Sequence, residues 1–287
     1  MSPRQAKLLI LGLVLSAAIL VVVGFLGLDS LFLEPNWISV RTVKINNPAL
    51  AQALQGIRLV QISDLHLGNS LGFRENELVR RLNSISPDII LVSGDILEGT
   101  GSLAAAEEFF SRLHPQLWTY GVLGNSDRSA FLGENGRDRL RRARMSLIGG
   151  KALRMQVGEG NSCFYLAGVD FPGYGAQLPP NELTRILRGV PPEVPVILLS
   201  YSPETIQAAA AAGVDLVLSG DSHGGQVGLP GMEGLFVELG RSPYVRGRYR
   251  VNDAQLYVNR GIATKGLPAR FLCPPEITLF EFSEEEG

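Results

Sequence analysis

Six short apolar runs between residues 57 and 220 constrain this chain more than any other feature. They are IRLVQIS (57–63), DIILVSG (88–94), LWTYGVLG (117–124), SCFYLAGV (162–169), VPVILLS (194–200) and VDLVLSG (214–220). They alternate little between apolar and polar positions. Such runs fit strands buried on both faces, which need covering layers. Helical stretches lie between them. Glu75 to Ile85 places Leu78, Leu82 and Ile85 on one face, and Glu204 to Ala212 is Ala-rich and closed by Gly213. Trp37 to Ile45 alternates as an edge strand does, and Leu235 to Phe282 carries short strands and turns without a long helix. The expectation is an α/β fold with a helix-covered central sheet, and a second sheet from the C-terminal third packed against it.

The other strong signal is local. Leu8 to Leu28 is a run of 21 uncharged residues, LLILGLVLSAAILVVVGFLGL. A helix of about 20 residues spans the hydrocarbon core of a bilayer. The run exceeds the apolar part of a signal peptide, and no A-x-A pattern follows it. It reads as an uncleaved single-pass anchor, which divides the chain into an anchor and juxtamembrane segment (1–36) and one domain (37–287). Arg4 and Lys7 precede the run, a weak bias toward an extracytoplasmic domain, partly cancelled by Arg41 and Lys44. A net charge of −2 argues against a nucleic-acid partner. Cys163 and Cys273 fit neither a zinc pair nor a redox C-x-x-C motif; buried thiols and a disulfide are both open.

Four of the apolar runs end in potential metal ligands: Asp64-Leu65-His66, Gly94-Asp95, Gly124-Asn125, and Gly220-Asp221-Ser222-His223-Gly224-Gly225. In α/β sheets functional groups collect beyond the carboxyl ends of strands. Carboxylates, an amide oxygen and imidazoles suit Mn, Mg, Fe or Zn. Two of the chain's three histidines lie in these turns; the third, His114, precedes a proline and reads as an ordinary loop residue.

The ordered series D-L-H, G-D, G-N-x-D and G-x-x-H-G-G-Q resembles the signature of calcineurin-like metallophosphoesterases. More narrowly, it is similar to the bacterial membrane-associated branch of YkuE-type and UDP-2,3-diacylglucosamine pyrophosphatase-like proteins. The stretches that carry the resemblance are QISDLHLG (61–68), LVSGDILEG (91–99), LVLSGDSHGGQV (216–227) and RGIATKGLPARFLCPPEITLFEF (260–282). It implies a four-layer α-β-β-α sandwich and two divalent ions that activate water for attack on phosphorus. Carried over by position, Asp64, His66 and His223 hold the first ion, Asp95 bridges, and Asn125 and Asp221 serve the second. Asp95, Asn125 and Asp127 are the implied catalytic residues. Ser126 takes the place of a substrate-contacting histidine, and Arg128 and Arg260, with Arg241 and Arg270, are the arginines available to phosphate.

Three positions depart from the pattern. Ser126 replaces the histidine of G-N-H-D, Tyr201 replaces that of S-H-x-P, and Asp221 replaces the first of G-H-x-H. The exchange makes the site harder and more anionic, favouring Mn or Mg over Zn. Tyr201 is a poor ligand as a neutral phenol and reads better as a packed aromatic. Ser126 cannot supply a proton at neutral pH, and losing a positioned acid costs about 10²–10⁴ in rate. The expected function is a metal-dependent phosphodiesterase or pyrophosphatase at the membrane. A phosphorylated small molecule or a lipid-linked nucleotide, such as UDP-2,3-diacylglucosamine, is the expected substrate. The alternative is a catalytically impaired scaffold that binds a metal, a phospholipid or a protein. KGLPARFL (265–272) reads as a core-packed loop or as a lipid head-group contact.

Overall fold

The apolar runs separate into two sheets according to which crossover connections they share. The structure is a computed structural model describing residues 2–99, 102–127, 134–157, 162–173, 178–179, 181–228 and 242–285. The first sheet has the order β1 (Ser39–Asn46), β12 (Glu276–Ser283), β2 (Leu59–Ile62), β3 (Ile89–Val92), β4 (Trp118–Gly121), β5 (Met145–Leu147). Its strands β2 to β5 are parallel, as βαβ crossovers require. The second sheet has the order β10 (Gly247–Val251), β11 (Ala254–Val258), β9 (Leu216–Ser219), β8 (Val196–Ser200), β7 (Cys163–Val169), β6 (Ala152–Gln156).

Each central strand is apolar on both faces because each face meets a different layer. Val60, Ile62, Ile90 and Val92 face helices α3 (Phe73–Ile85), α4 (Leu103–Ser111) and α5 (Glu134–Arg142), through Leu78, Leu82, Phe109, Phe110 and Leu140. Leu59, Ile89 and Leu91 face the other way, against Phe164, Leu166, Ile197, Leu199, Leu216 and Leu218 of the second sheet. Leu198, Val217 and Leu256 on that sheet's outer face pack with Leu183 and Ile186 of α6 (Glu182–Ile186), and Ile206 and Ala209 of α7 (Ile206–Ala211). The result is a four-layer α-β-β-α sandwich, in which each buried Leu or Ile contributes about 1.5–3 kcal/mol. Gly213, at φ +75°, closes the stretch that ends in α7.

One expectation needs correction. The second sheet is not a product of the C-terminal third. Its central strands β7, β8 and β9 come from the middle of the chain, and only β10 and β11 are late. The last strand, β12, returns to the first sheet, parallel to β1 and antiparallel to β2. Buried strands look alike in composition, so membership of one sheet or the other was not readable from the runs. The alternating segment near Trp37 does form the edge strand, β1.

Helix α1 (Pro3–Leu28) has no buried residue, and the helical segment it opens contains a stretch of mean hydropathy 3.0, long and apolar enough to cross a membrane. Its end is fastened to the domain. The helix runs into a π turn (Asp29–Leu33) and a 3₁₀ turn (Glu34–Asn36). There the Ser30 carbonyl accepts the Arg270 amide at 2.9 Å. Buried Glu34 accepts the Leu272 amide at 2.8 Å and the Cys273 amide as well. Glu34→Ala leaves two amides without their acceptor, and the unfolding free energy of the full chain in detergent is expected to fall by about 1–3 kcal/mol. An unchanged denaturation midpoint would show that this contact does not hold the segment.

Candidate metal centre

The turns after β2, β3 and β4 in the first sheet meet those after β8 and β9 in the second, at the carboxyl ends of parallel strands. Backbone bonds lock them together. Asp64 and His66 donate their amides to the carbonyls of Gly94 and Asp95, each at 3.0 Å, and Ile262 and Ala263 donate to Ser63 and Asp64, each at 2.9 Å. The approach is tight enough to force unusual backbone. Asp64, His66, Asp95, Asp221 and His223 all have positive φ, between 41° and 71°. Non-glycine residues rarely adopt this region, and a cluster of them marks a site held by its surroundings. Gly124 is required by the same crowding, since a Cβ there would lie 2.2 Å from Asp95 Oδ1.

Asp64, His66, Asp95 and His223 are all buried, and one potential ligand atom from each lies within 4.8 Å of every other. The two imidazoles stack with centroids 5.2 Å apart. His66 Nδ1 is 2.6 Å from Glu98 Oε2, and His223 Nδ1 is 2.9 Å from the Ala263 carbonyl. Both partners are acceptors, so each Nδ1 carries its proton and each Nε2 presents a lone pair. Those two Nε2 atoms and Asp64 Oδ2 are buried without a hydrogen-bond partner. Unpartnered polar atoms at this depth are costly, and the two Nε2 atoms, His66 3.4 Å from Asp95 Oδ2 and His223 3.7 Å from Asp64 Oδ1, are placed to share a divalent cation with those carboxylates. This half of the site fits a metal ion.

Protonation agrees with that fit. Burial lowers the pKa of His66, and burial with the charge of His66 and Arg270 pushes His223 down to about 3. Both rings are therefore neutral. Asp64 is raised well above the usual carboxylate range by burial, Asp95 and Asp221. For Asp95 burial acts upward, but Lys265, His66 and the Ser126 amide together bring it below its ordinary value.

The other implied residues are placed differently. Asn125 donates from Nδ2 to the Tyr201 hydroxyl at 2.7 Å, and its Oδ1 accepts from Lys265 Nζ at 3.1 Å. Tyr201 is fully buried, packs edge-on to Phe171, and donates to Asp221 Oδ1 at 2.5 Å. Ser126 donates its amide to Asp95 Oδ1 at 2.9 Å. Asp127 is fully buried, with its oxygens accepting the amides of Leu97 and Gly124, each at 2.8 Å. It clamps two ligand turns together instead of reaching the cluster, and burial raises its pKa to about 7 against those amide bonds. Arg260 is 3.3 Å from the buried Glu276 carboxylate, which engages its guanidinium. Arg270 is fully buried and donates to the carbonyls of Ala263, Arg260, Gly261 and Cys273, an internal brace. Arg128 and Arg241 lie outside the described residues. Both cysteines are free, and His114 is exposed.

Sequence reasoning missed three contributors. Glu98 gave only the signal of an acid inside the Gly94–Gly99 turn, and Arg270 was read only as an arginine available to phosphate, not as a brace. Lys265 gave no signal as a site residue. Its Nζ lies 3.3 Å from Asp95 Oδ2 only because the loop before β12 folds back over the strand ends.

Comparison with known proteins agrees with this geometry. Residues 57–225 match the family described as Calcineurin-like phosphoesterase. The chain is 30% identical over 281 residues to a Danio rerio transmembrane protein with metallophosphoesterase domain, covering 92% of this chain and 61% of that protein. It is 26% identical over 253 residues to the uncharacterized metallophosphoesterase YkuE of Bacillus subtilis, covering 87% of each. It is 28% identical over 299 residues to UDP-2,3-diacylglucosamine pyrophosphatase LpxG of Chlamydia trachomatis, covering 86% of this chain and 90% of that protein. This chain therefore spans less than two thirds of the Danio rerio relative.

Two measurements test the centre. Glu98→Ala removes the acceptor that orients His66, and Mn affinity by titration is expected to weaken about 10–100-fold. Equal affinity would leave Glu98 without a role. Calorimetry in buffers of different protonation enthalpy should detect protons released on Mn binding, increasingly so as the pH is lowered. Asp64, with its raised pKa, is the donor, so affinity falls as pH drops through its range. The neutral His223 competes only near pH 3.

Proposed function

We infer that this chain, which belongs to the calcineurin-like phosphoesterase family, hydrolyses phosphoester or phosphoanhydride bonds with a divalent ion held by Asp64, His66 and His223 beside Asp95. The observation that carries this reading is the convergence of one buried ligand atom each from Asp64, His66, Asp95 and His223, all within 4.8 Å of one another, with both Nε2 atoms free of hydrogen bonds. An ion bound there polarises a phosphoryl oxygen and acidifies a water. The carboxylate-rich surroundings favour Mn or Mg.

The chain's own residues orient and charge the site. Glu98 and the Ala263 carbonyl fix the two imidazole rings. Ionised Asp95 is steadied by the Ser126 amide and Lys265. The Lys265 side chain is 40% exposed, so its ammonium can donate to an incoming phosphoryl oxygen while still touching Asp95. Asn125 and Ser126 share the adjoining turn and would border the same oxygens, with Arg128 as a further phosphate contact. Arg260 is committed to Glu276, so the cationic contact is assigned first to Lys265.

We further assign a membrane-borne substrate, with a lipid-linked nucleotide such as UDP-2,3-diacylglucosamine as the specific case. Two observations support it. The relative LpxG is described as the pyrophosphatase of that compound. The end of the apolar helix is also bonded, through Ser30 and Glu34, to residues 270–273 of the loop that carries Lys265. Exposed Leu267 and Leu272 lie on that loop. Anchoring of this kind raises the local concentration of enzyme beside its lipid.

The test is hydrolysis by the full chain in detergent with Mn. Turnover of bis(p-nitrophenyl) phosphate and release of UMP from UDP-2,3-diacylglucosamine are expected, and both should fall to background with His223→Ala. UMP release absent while the generic diester is cleaved would remove the substrate assignment alone. Metal uptake without any turnover would favour a binding scaffold, the second reading, which draws on Ser126, Tyr201 and Asp221 standing where the resemblance implies imidazoles.

A further inference from the structure

We propose that Lys265 stands in the position of a second cation, so that this centre works with a single divalent ion and one ammonium group. The proposal rests on the hydrolase reading above and departs from the pair of ions that the family resemblance implies.

The two halves of the site differ in one respect that matters. On the Asp64 side, both imidazole Nε2 atoms are buried without a hydrogen bond and face carboxylate oxygens at 3.4 and 3.7 Å. On the Asn125 side, the groups a second ion would need are already partnered. Asp95 Oδ2 lies 3.3 Å and Asn125 Oδ1 3.1 Å from Lys265 Nζ. Asp221 Oδ1 accepts the Tyr201 proton at 2.5 Å, and the Tyr201 oxygen accepts from Asn125 Nδ2 at 2.7 Å. That oxygen also lies 3.1 Å from Asp95 Oδ2. A phenol that gives its proton to one carboxylate and takes one from an amide is a closed hydrogen-bonding unit, not an open ligand. The residues present do not fit a second metal ion.

Tyr201 is not free to swing aside, and the backbone that carries Lys265 is fixed. Tyr201 is fully buried, and its Cδ2 lies close enough to Gly94 that a Cβ there would meet it at 2.6 Å. The loop bearing Lys265 is pinned by Gln226, whose Oε1 accepts the Lys265 amide at 2.6 Å and whose Nε2 donates to the Leu267 carbonyl at 3.2 Å. Arg270 braces the same loop from below through the Ala263 carbonyl at 2.6 Å. The ammonium is therefore delivered to Asp95 by a fixed loop.

An ammonium carries half the charge of a divalent ion and cannot acidify water as a metal does. Its part is to neutralise Asp95 and bind a phosphoryl oxygen.

The experiment is metal analysis and Mn electron paramagnetic resonance on the full chain in detergent, stripped with chelator and reloaded with excess Mn. One Mn per chain, with the spectrum of an isolated ion, is expected. Two per chain with the spectrum of a magnetically coupled pair, in an enzyme that turns over, would overturn the lysine assignment and leave the hydrolase reading standing. No bound Mn and no turnover would sink both. Lys265→Met should keep its single ion and lose about a hundredfold or more in bis(p-nitrophenyl) phosphate turnover; unchanged turnover counts against the proposal. The combined variant Lys265→Ser, Tyr201→His, Asp221→His should admit a second, coupled Mn. If it folds and still holds one, the position is not a metal position. If it fails to fold, the first two proteins decide.

Discussion

Like charges packed at the seam between two sheets set the terms for the rest of this molecule. Asp64 and Asp95 are fully buried, and Asp221 lies close enough to raise the pKa of Asp64. Carboxylates at such depth repel one another strongly unless cations or hydrogen bonds intervene. The fold answers that repulsion in two ways. On one side two neutral imidazoles point lone pairs inward with Asp64, an arrangement that makes sense around a metal ion. On the other, Tyr201, Asn125 and Lys265 supply donors. Asp95 touches both sides.

Holding these groups together takes support that never touches the cluster. Asp127 joins the Asp95 turn to the Asn125 turn through two backbone amides. Arg270 gathers carbonyls from residues 260–263 and Cys273, and one of them, Ala263, also receives the His223 ring. Removing a buried donor of this kind leaves several acceptors unsatisfied at once. Left-handed backbone at five site residues is the geometric trace of the same constraint. The Arg270 brace continues outward, because the amides of Arg270, Leu272 and Cys273 bond to Ser30 and Glu34 at the end of the apolar helix. An unbroken set of hydrogen bonds thus leads from that helix to a histidine of the centre.

Much of the fold was legible because strand burial leaves a compositional mark. The runs at 57–63, 88–94 and 214–220 each contain a strand, and the ligand turns follow them as the α/β rule requires. Asp64, His66, Asp95 and His223 were readable for that reason. Tyr201 as a packed aromatic was readable too, since a phenol is a poor ligand beside carboxylates. The bonds of Asp127 to backbone amides, of Arg260 to Glu276 and of Arg270 to carbonyls were not readable, because an acid or arginine looks the same in sequence whether it faces a crevice or bonds inside the fold.

The layered α/β character, the long apolar helix and the order of the metal-type turns were all written in the chain's own residue pattern. Each of these rests on short-range patterns of apolar and polar residues. Tertiary structure alone decided which runs share a sheet, that β12 returns beside β1, and that residues 260–273 fold over the strand ends. Those choices come from contacts between remote segments, 238 residues apart at Glu34 and Leu272. Lys265 meets Asp95 through such a contact, and no local pattern encodes it.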